Sequence, residues 1–297
     1  MSSKVVSLAD AIALVPDGAT VALGGHTLRR HPMAAAGELV RQRKRDLHLL
    51  GWNSGIDFDL LVGAGCARIV ETSYVGISGF GLARNYRRSA EAGEIEIREH
   101  SEISALDMFR AGSMGVPFMA SSVLRGSDVP ATNPRIGTVT SPFSGQEYTA
   151  VEAVQPDVAI IHAHCADLHG NVQLDEDHWP DNDADVFIGW AGKTTIVTVE
   201  QLVSDEQIRE RPDRTILPRD AVTCVVEAPY GAYPCACDSR YTYDLDWIGD
   251  YYQASADPAT FRGHLDRWVL GVGDHAAFLD LVGLDRLLAV ANRGGAL

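Results

Sequence analysis

Short apolar runs alternate along this chain with stretches whose apolar residues recur every three or four positions. Residues 19–23, 47–50, 68–70, 157–162, 195–199 and 221–227 have the length and bounds of buried strands, and 171–174 that of a shorter one. In 94–98, Ile95 and Ile97 alternate with charged residues, as in a half-buried strand. Helical spacing covers 7–14, 33–40, 57–62, 81–92 and 183–190. It also covers a helix capped by Ser101, with Ile103, Leu106 and Phe109 expected to face inward. Residues 121–146, rich in Ser, Pro, Gly and Thr, show no period and read as a long functional loop. Beyond Pro234 the chain is aromatic and acidic, with Phe261, Leu265 and Trp268 lining one helix. Strands and helices alternating at these lengths predict an α/β fold, an open, doubly wound, mostly parallel sheet with a C-terminal helical tail. No repeat divides the chain, so one domain is expected over 1–297, with 235–297 as an appended tail.

Residues 17–32 organise this pattern. A buried strand runs into Gly24-Gly25, and a polar loop then ends at Pro32, which suits the first turn of a helix. Paired glycines at a strand's end turn without a Cβ clash and let a ligand approach the main chain. Gly24 and Gly25 are therefore candidate backbone donors to an anionic or polarised oxygen.

Composition narrows the partners. Of 297 residues, 46% are hydrophobic and 22% charged, a globular balance. A net charge of −15 argues against nucleic acid or an anionic membrane as the main partner. Five scattered cysteines read as reduced thiols of a cytoplasmic protein. The N-terminus has no signal-peptide apolar core, and no run approaches the ~20 residues that span a bilayer.

Asp17-Gly18, two variable residues, Val21-Ala22-Leu23, Gly24-Gly25 and Pro32 together resemble the N-terminal signature of family I CoA-transferases. Two positions depart from it: His26 stands where Phe is usual and Arg30 where Gly is usual. Arg30 resembles the branch of glutaconate-type alpha subunits and the related steroid-ring hydrolase. Six further blocks, 61–65, 74–79, 115–118, 157–163, 204–209 and 228–232, resemble the same branch in the same order.

The resemblance implies the alpha subunit of a heteromeric enzyme that moves CoA between an acyl-CoA and a (di)carboxylic acid. A beta subunit is implied as partner, because the nucleophilic glutamate lies there and this chain has no matching motif. The CoA thioester is then a substrate, and no permanently bound cofactor or metal is expected. A CoA-thioester hydrolase that opens a carbon ring is the alternative. A non-catalytic structural or regulatory subunit is the alternative of another class.

Glu102 matches a glutamine of the transferases and a catalytic glutamate of the hydrolase. It equally suits the first turn of a helix, where the dipole favours an acid. As a catalytic residue it would activate water or share a proton with the partner's carboxylate. Ser78, between glycines, matches a family serine near the acyl site and also suits a turn. Arg30 is a candidate contact to a substrate carboxylate. Arg84, Arg87 and Arg88 form one basic helical face, read as solvated or as an approach for CoA phosphates. The relatives of hydrolase type carry an arginine soon after the Pro-Phe matched by Pro117-Phe118, whereas here the next is Arg125. His162, His164, Asp167 and His169 suggest a metal, but their spacing fits a strand-end turn better. Cys235 and Cys237 read as free thiols.

Overall fold

The computed structural model describes residues 2–177 and 183–291. In chain order its strands are β1 (Thr20–Leu23), β2 (Leu47–Leu50), β3 (Asn53–Ser54), β4 (Ala67–Thr72), β5 (Tyr74–Ile77), β6 (Gly81–Leu82), β7 (Glu96–Glu99), β8 (Phe118–Ser121), β9 (Ile136–Thr140), β10 (Glu147–Glu152), β11 (Val158–Ala166), β12 (Val172–Gln173), β13 (Thr194–Leu202), β14 (Thr215–Leu217) and β15 (Cys224–Glu227). Parallel pairing gives the order β15-β13-β11-β1-β2-β4-β7. Antiparallel β12 and β14 extend the sheet beside the far end of β11. From β1 the chain moves outward through β2, β4 and β7, then returns to the other side of β1 at β11. The order thus reverses between β1 and β11, and such a switch point opens a crevice at the strands' carboxyl ends.

Helices cover both faces, so β1, β2 and β11 are buried almost throughout. Val21 and Leu23 enter a core with Leu39 and Leu61 of the helices Met33–Arg41 and Ile56–Gly63. Ala22 faces the other way, toward Met108 and Phe109 of the helix Glu102–Met114 and Ile188 of the helix Asp183–Ala191. Trp247, Tyr251, Phe261 and Leu265 from the C-terminal helices share the first core with Val21. No helix among the described residues is long and apolar enough to cross a membrane.

The doubly wound sheet is as expected, and three local expectations need correction. The stretch 121–146 is not one long loop: β8, β10 and β9 make an antiparallel sheet of their own. Its strands are exposed along much of their length, so no apolar alternation marks them. The helix expected from residue 81 starts at Arg84, because Gly81, at φ +113°, pairs in a hairpin with Ile77. Ile103 is 58% exposed, and the inward row of that helix is Ser104, Ala105, Met108 and Phe109.

Past Leu23 the chain bends at Gly24 and Gly25, the latter at φ +97°, where only glycine is unstrained. A Cβ on Gly24 would lie 2.6 Å from Asp185 Oδ1, and one on Gly25 would lie 2.7 Å from the His31 nitrogen. That close approach lets the buried Asp185 carboxylate accept from the Gly25 amide at 2.7 Å and from Arg30 Nη2 at 2.5 Å. Arg30 Nη1 donates to the His162 carbonyl of β11 at 2.8 Å. The bend is therefore clamped to a helix on one face and to the neighbouring strand. One residue on, His31 Nδ1 donates to Asp57 Oδ2 at 3.0 Å and Nε2 to the Thr27 carbonyl at 2.9 Å. Two acceptors demand two ring protons. Burial opposes the charge, yet Asp57 and the Thr27 carbonyl outweigh it and raise the imidazole's pKa.

Breaking a buried pair strands the remaining charge, so Asp185→Ala should destabilise the fold by about 3–5 kcal/mol in urea titrations. Loss within about 0.5 kcal/mol would contradict the clamp. Because the His31 pKa is raised on folding, its stabilising contribution is complete below about pH 6.5 and fades as pH climbs through the folded value. Asp57→Asn should therefore cost more at about pH 6 than at about pH 9, and equal costs would refute a charged pair. His164 and His264 have the opposite sign. Burial pushes both to about 4, so they should make stability rise with pH between about 4 and 6.5.

Candidate active site

The carboxyl ends of β1 and β2, beside the switch point, carry polar residues that meet one another. After Gly25, the His26 backbone bridges Asn53 and Arg29. After β2 the chain passes Gly51 and Trp52 to reach Asn53. The His26 and Trp52 rings lie 4.9 Å apart, tilted by 32°. Asn53 is only 5% exposed, and its Nδ2 stands 2.8 Å from Glu102 Oε1 and 3.1 Å from His26 Nε2. Trp52 Nε1 donates to the Glu102 carbonyl at 3.0 Å.

Local sequence places Glu102. Ser101 caps the helix by accepting from the Ser104 amide, and the Ser104 hydroxyl accepts from the Ser101 amide at 2.9 Å. This reciprocal box leaves Glu102 in the first turn, where the helix dipole favours its negative charge. The residue remains exposed. Beneath it His100 reaches both Ser104 and the buried Glu71, which also binds His48 and Arg135. Burial opposes that charge, but His100, His48 and Arg135 hold the Glu71 carboxyl well below its ordinary range. An ionised anchor therefore sits under the helix start. The arrangement can aim a carboxylate at a crevice from a fixed base.

The predicted residues have different fates. Glu102 meets Asn53 beyond the end of β2, and Gly24 and Gly25 lead directly into His26. Neither glycine amide faces a ligand: Gly24 donates to the Ile160 carbonyl at 2.9 Å and Gly25 to Asp185. The nest expected to receive a substrate oxygen holds a carboxylate of the protein itself. Arg30 is fully buried on that same carboxylate, so it shapes the bend instead of meeting solvent. Ser78 is exposed at the tip of the β5–β6 hairpin. It lies at the opposite end of β5 from Tyr74, which pairs with Asn53. The bonds that hold Glu102 do not extend to it. Arg84 covers the Tyr252 ring at 3.9 Å, Arg88 donates to the Ser255 carbonyl and Arg87 pairs with Glu91. Two of the three thus fasten the C-terminal helices.

The side chains of the histidine-rich strand end have partners within the protein. His162 Nε2, Glu200 and Cys237 place ligand atoms within 4.8 Å of one another. Glu200, however, already accepts from His162 at 2.7 Å, Tyr241 at 2.6 Å and the amides of Tyr230 and Gly231. Burial opposes the Glu200 charge, but those donors hold its carboxyl below the ordinary range. His164 meets the Asp238 carbonyl, and Asp167 caps the turn at His169 and Asn171. Burial drives the Cys235 and Cys237 thiols far up, so neither is a nucleophile.

Sequence reasoning missed Asn53, Trp52 and Asp185. The first two had a visible signal, since Gly51-Trp52-Asn53-Ser54-Gly55 follows a buried strand just as the glycine bend follows β1. Asp185 had none, because its partners lie 155 and 160 positions away.

Residues 5–228 match the family model described as Coenzyme A transferase. The chain is 35% identical to the A-type subunit of glutaconate CoA-transferase from Acidaminococcus fermentans, over 96% of this chain and 94% of that protein. The crystal structure of that enzyme superposes with a TM-score of 0.91 at 36% identity, covering 97% of this chain and 95% of the other. Identity is also 35% to the A-type subunit of 3-oxoadipate CoA-transferase from Pseudomonas knackmussii, over 93% and 97% of the two chains. It is 31% to the cholesterol ring-cleaving hydrolase IpdA subunit of Rhodococcus jostii, over 91% and 93%. With signature, sheet order and superposition in agreement, the chain belongs to the coenzyme A transferase family.

Proposed function

We propose that this chain is the alpha-type subunit of a cytoplasmic, heteromeric CoA-transferase that moves CoA between an acyl-CoA and a dicarboxylic acid. Full-length similarity to two proteins named for dicarboxylate substrates supports that substrate class. CoA enters as substrate, and no resident cofactor is part of the proposal. The observation that carries the reading is the exposed Glu102 carboxylate, held by Asn53 at the switch-point crevice while its own helix start is fixed from below.

The nucleophile is supplied by a partner beta subunit. Its glutamate attacks the thioester carbonyl and expels CoA thiolate, which then displaces the acyl group to leave a glutamyl thioester and a free carboxylate. The acceptor acid repeats the sequence in reverse. Glu102 stands beside that carboxylate and shares a proton with it, which suits one acid and one base in close contact. Gly24, Gly25 and Arg30 support the site from behind, by clamping the loop that carries His26. Ser78, exposed on the β5–β6 hairpin, would meet the acyl group only from outside the Glu102 contacts.

A second reading, hydrolysis of a cyclic CoA thioester with Glu102 activating water, draws on the same exposed carboxylate and on the 31% identical hydrolase subunit. Arg125 weighs against it. Its guanidinium lies over the Tyr148 ring and donates to the Glu147 carbonyl, so it belongs to the antiparallel sheet and not to the crevice.

Borohydride added with acyl-CoA to the assembled complex should reduce one partner glutamate. An unmodified partner under turnover would remove the transferase reading. In that complex Glu102→Gln should lower transferase turnover about tenfold, whereas a general base lost from a hydrolase costs about a thousandfold. If Glu102, Ser78 and the glycine bend can all be altered with full activity, the subunit is a scaffold. The chain purified alone should have no thioester chemistry.

A further inference from the structure

We propose that His26 is a positioning residue whose Nε2 lone pair locks the Asn53 amide that aims Glu102, an inference that rests on Glu102 acting in the proposed reaction. Asn53 Nδ2 contacts Glu102 Oε1 and His26 Nε2 at 2.8 and 3.1 Å. An amide nitrogen carries two hydrogens and accepts nothing, so it donates in both contacts. The carboxylate decides which end of the amide faces the crevice. His26 Nε2 must then accept, which makes the imidazole neutral with its proton on Nδ1. With both hydrogens engaged, Asn53 cannot rotate without losing two partners at once.

His26 is itself held. Its backbone bridges Asn53 and Arg29, and its ring lies against Trp52, tilted by 32°. Trp52 in turn binds the Glu102 carbonyl, so the ring pair closes a loop from the glycine bend to the helix start. Phenylalanine, the residue expected here from the signature, would keep the ring contact with Trp52 but leave the second Asn53 hydrogen without an acceptor. His26 has no hydrogen bond of its own to Glu102 and acts on that side chain through Asn53, so its loss is expected in turnover more than in substrate affinity.

The test uses the complex of this chain with its beta subunit. His26→Phe should lower kcat about three- to fivefold, by no more than Glu102→Gln does, with KM for acyl-CoA within about twofold of wild type. His26→Gln, whose side-chain oxygen accepts the same hydrogen, should recover most of that loss. On a Glu102→Gln background, His26→Phe should add nothing. Wild-type kcat in His26→Phe, no recovery by His26→Gln, or multiplying losses would each overturn the relay. Should His26→Phe fail to assemble, His26→Leu, which also lacks an acceptor, replaces it with the same expectations. If Glu102→Gln alone keeps full activity, the reading of Glu102 falls. A loss in His26→Phe would then overturn this proposal as well, because it would reach the chemistry by another route.

Discussion

Everything at the carboxyl edge of the sheet depends on one buried ion pair. Asp185 accepts from Arg30 and from the Gly25 amide, while Arg30 also holds the His162 carbonyl. A helix on one face, the central strand's bend and the adjacent strand are thereby tied at one point. An unpaired charge at such depth would cost several kcal/mol, so the three groups stay together or the bend opens. The next residue, His31, repeats the device with Asp57 at the start of the helix Ile56–Gly63. Two buried pairs in succession fix the path of a loop that would otherwise be mobile.

That rigidity has a chemical use. A carboxylate that handles protons must be aimed, and aim comes from neighbours that cannot move. Glu102 is fastened through its helix cap, through Trp52 at its carbonyl and through Asn53 at its side chain. The Glu71 network lies below, with two histidines and two arginines around one buried acid. Only the outward side of Glu102 remains open, toward the crevice where a second subunit would place its own carboxylate. The chain on this reading presents half of a site, rigid and incomplete.

The C-terminal helices complete the layer instead of decorating it. Their aromatic residues lie in the same core as the first strand, and Trp247 stacks on Tyr251 at 6.0 Å. Arg84 and Arg88 fasten them to the sheet's flanking helix through Tyr252 and Ser255. Of a basic face that read as solvated or as an approach for phosphates, Arg84 and Arg88 are engaged within the chain and Arg87 stays exposed beside Glu91.

Local order was legible where chemistry is local. The buried strands, the Ser101 cap, the stop at Gly115 in the left-handed conformation and the glycine bend all follow from neighbouring residues, because strand burial, capping and positive φ are decided within a few positions. Family membership was legible for a similar reason, as short ordered blocks survive in the sequence itself. The sheet of β8, β9 and β10 was not, since only Ile136, Thr149 and Val151 of its strands are buried, too few to mark an apolar alternation. Nor were the partners of the polar groups. Gly25 and Arg30 showed that an anion would be met at the bend, but only folding decided that the anion is Asp185, brought from 155 residues away. The sequence by itself determined the sheet and placed Glu102 at a helix start. The tertiary structure alone decided which donors its carboxylate would meet, because hydrogen bonds are set by proximity in space and leave no period along the chain.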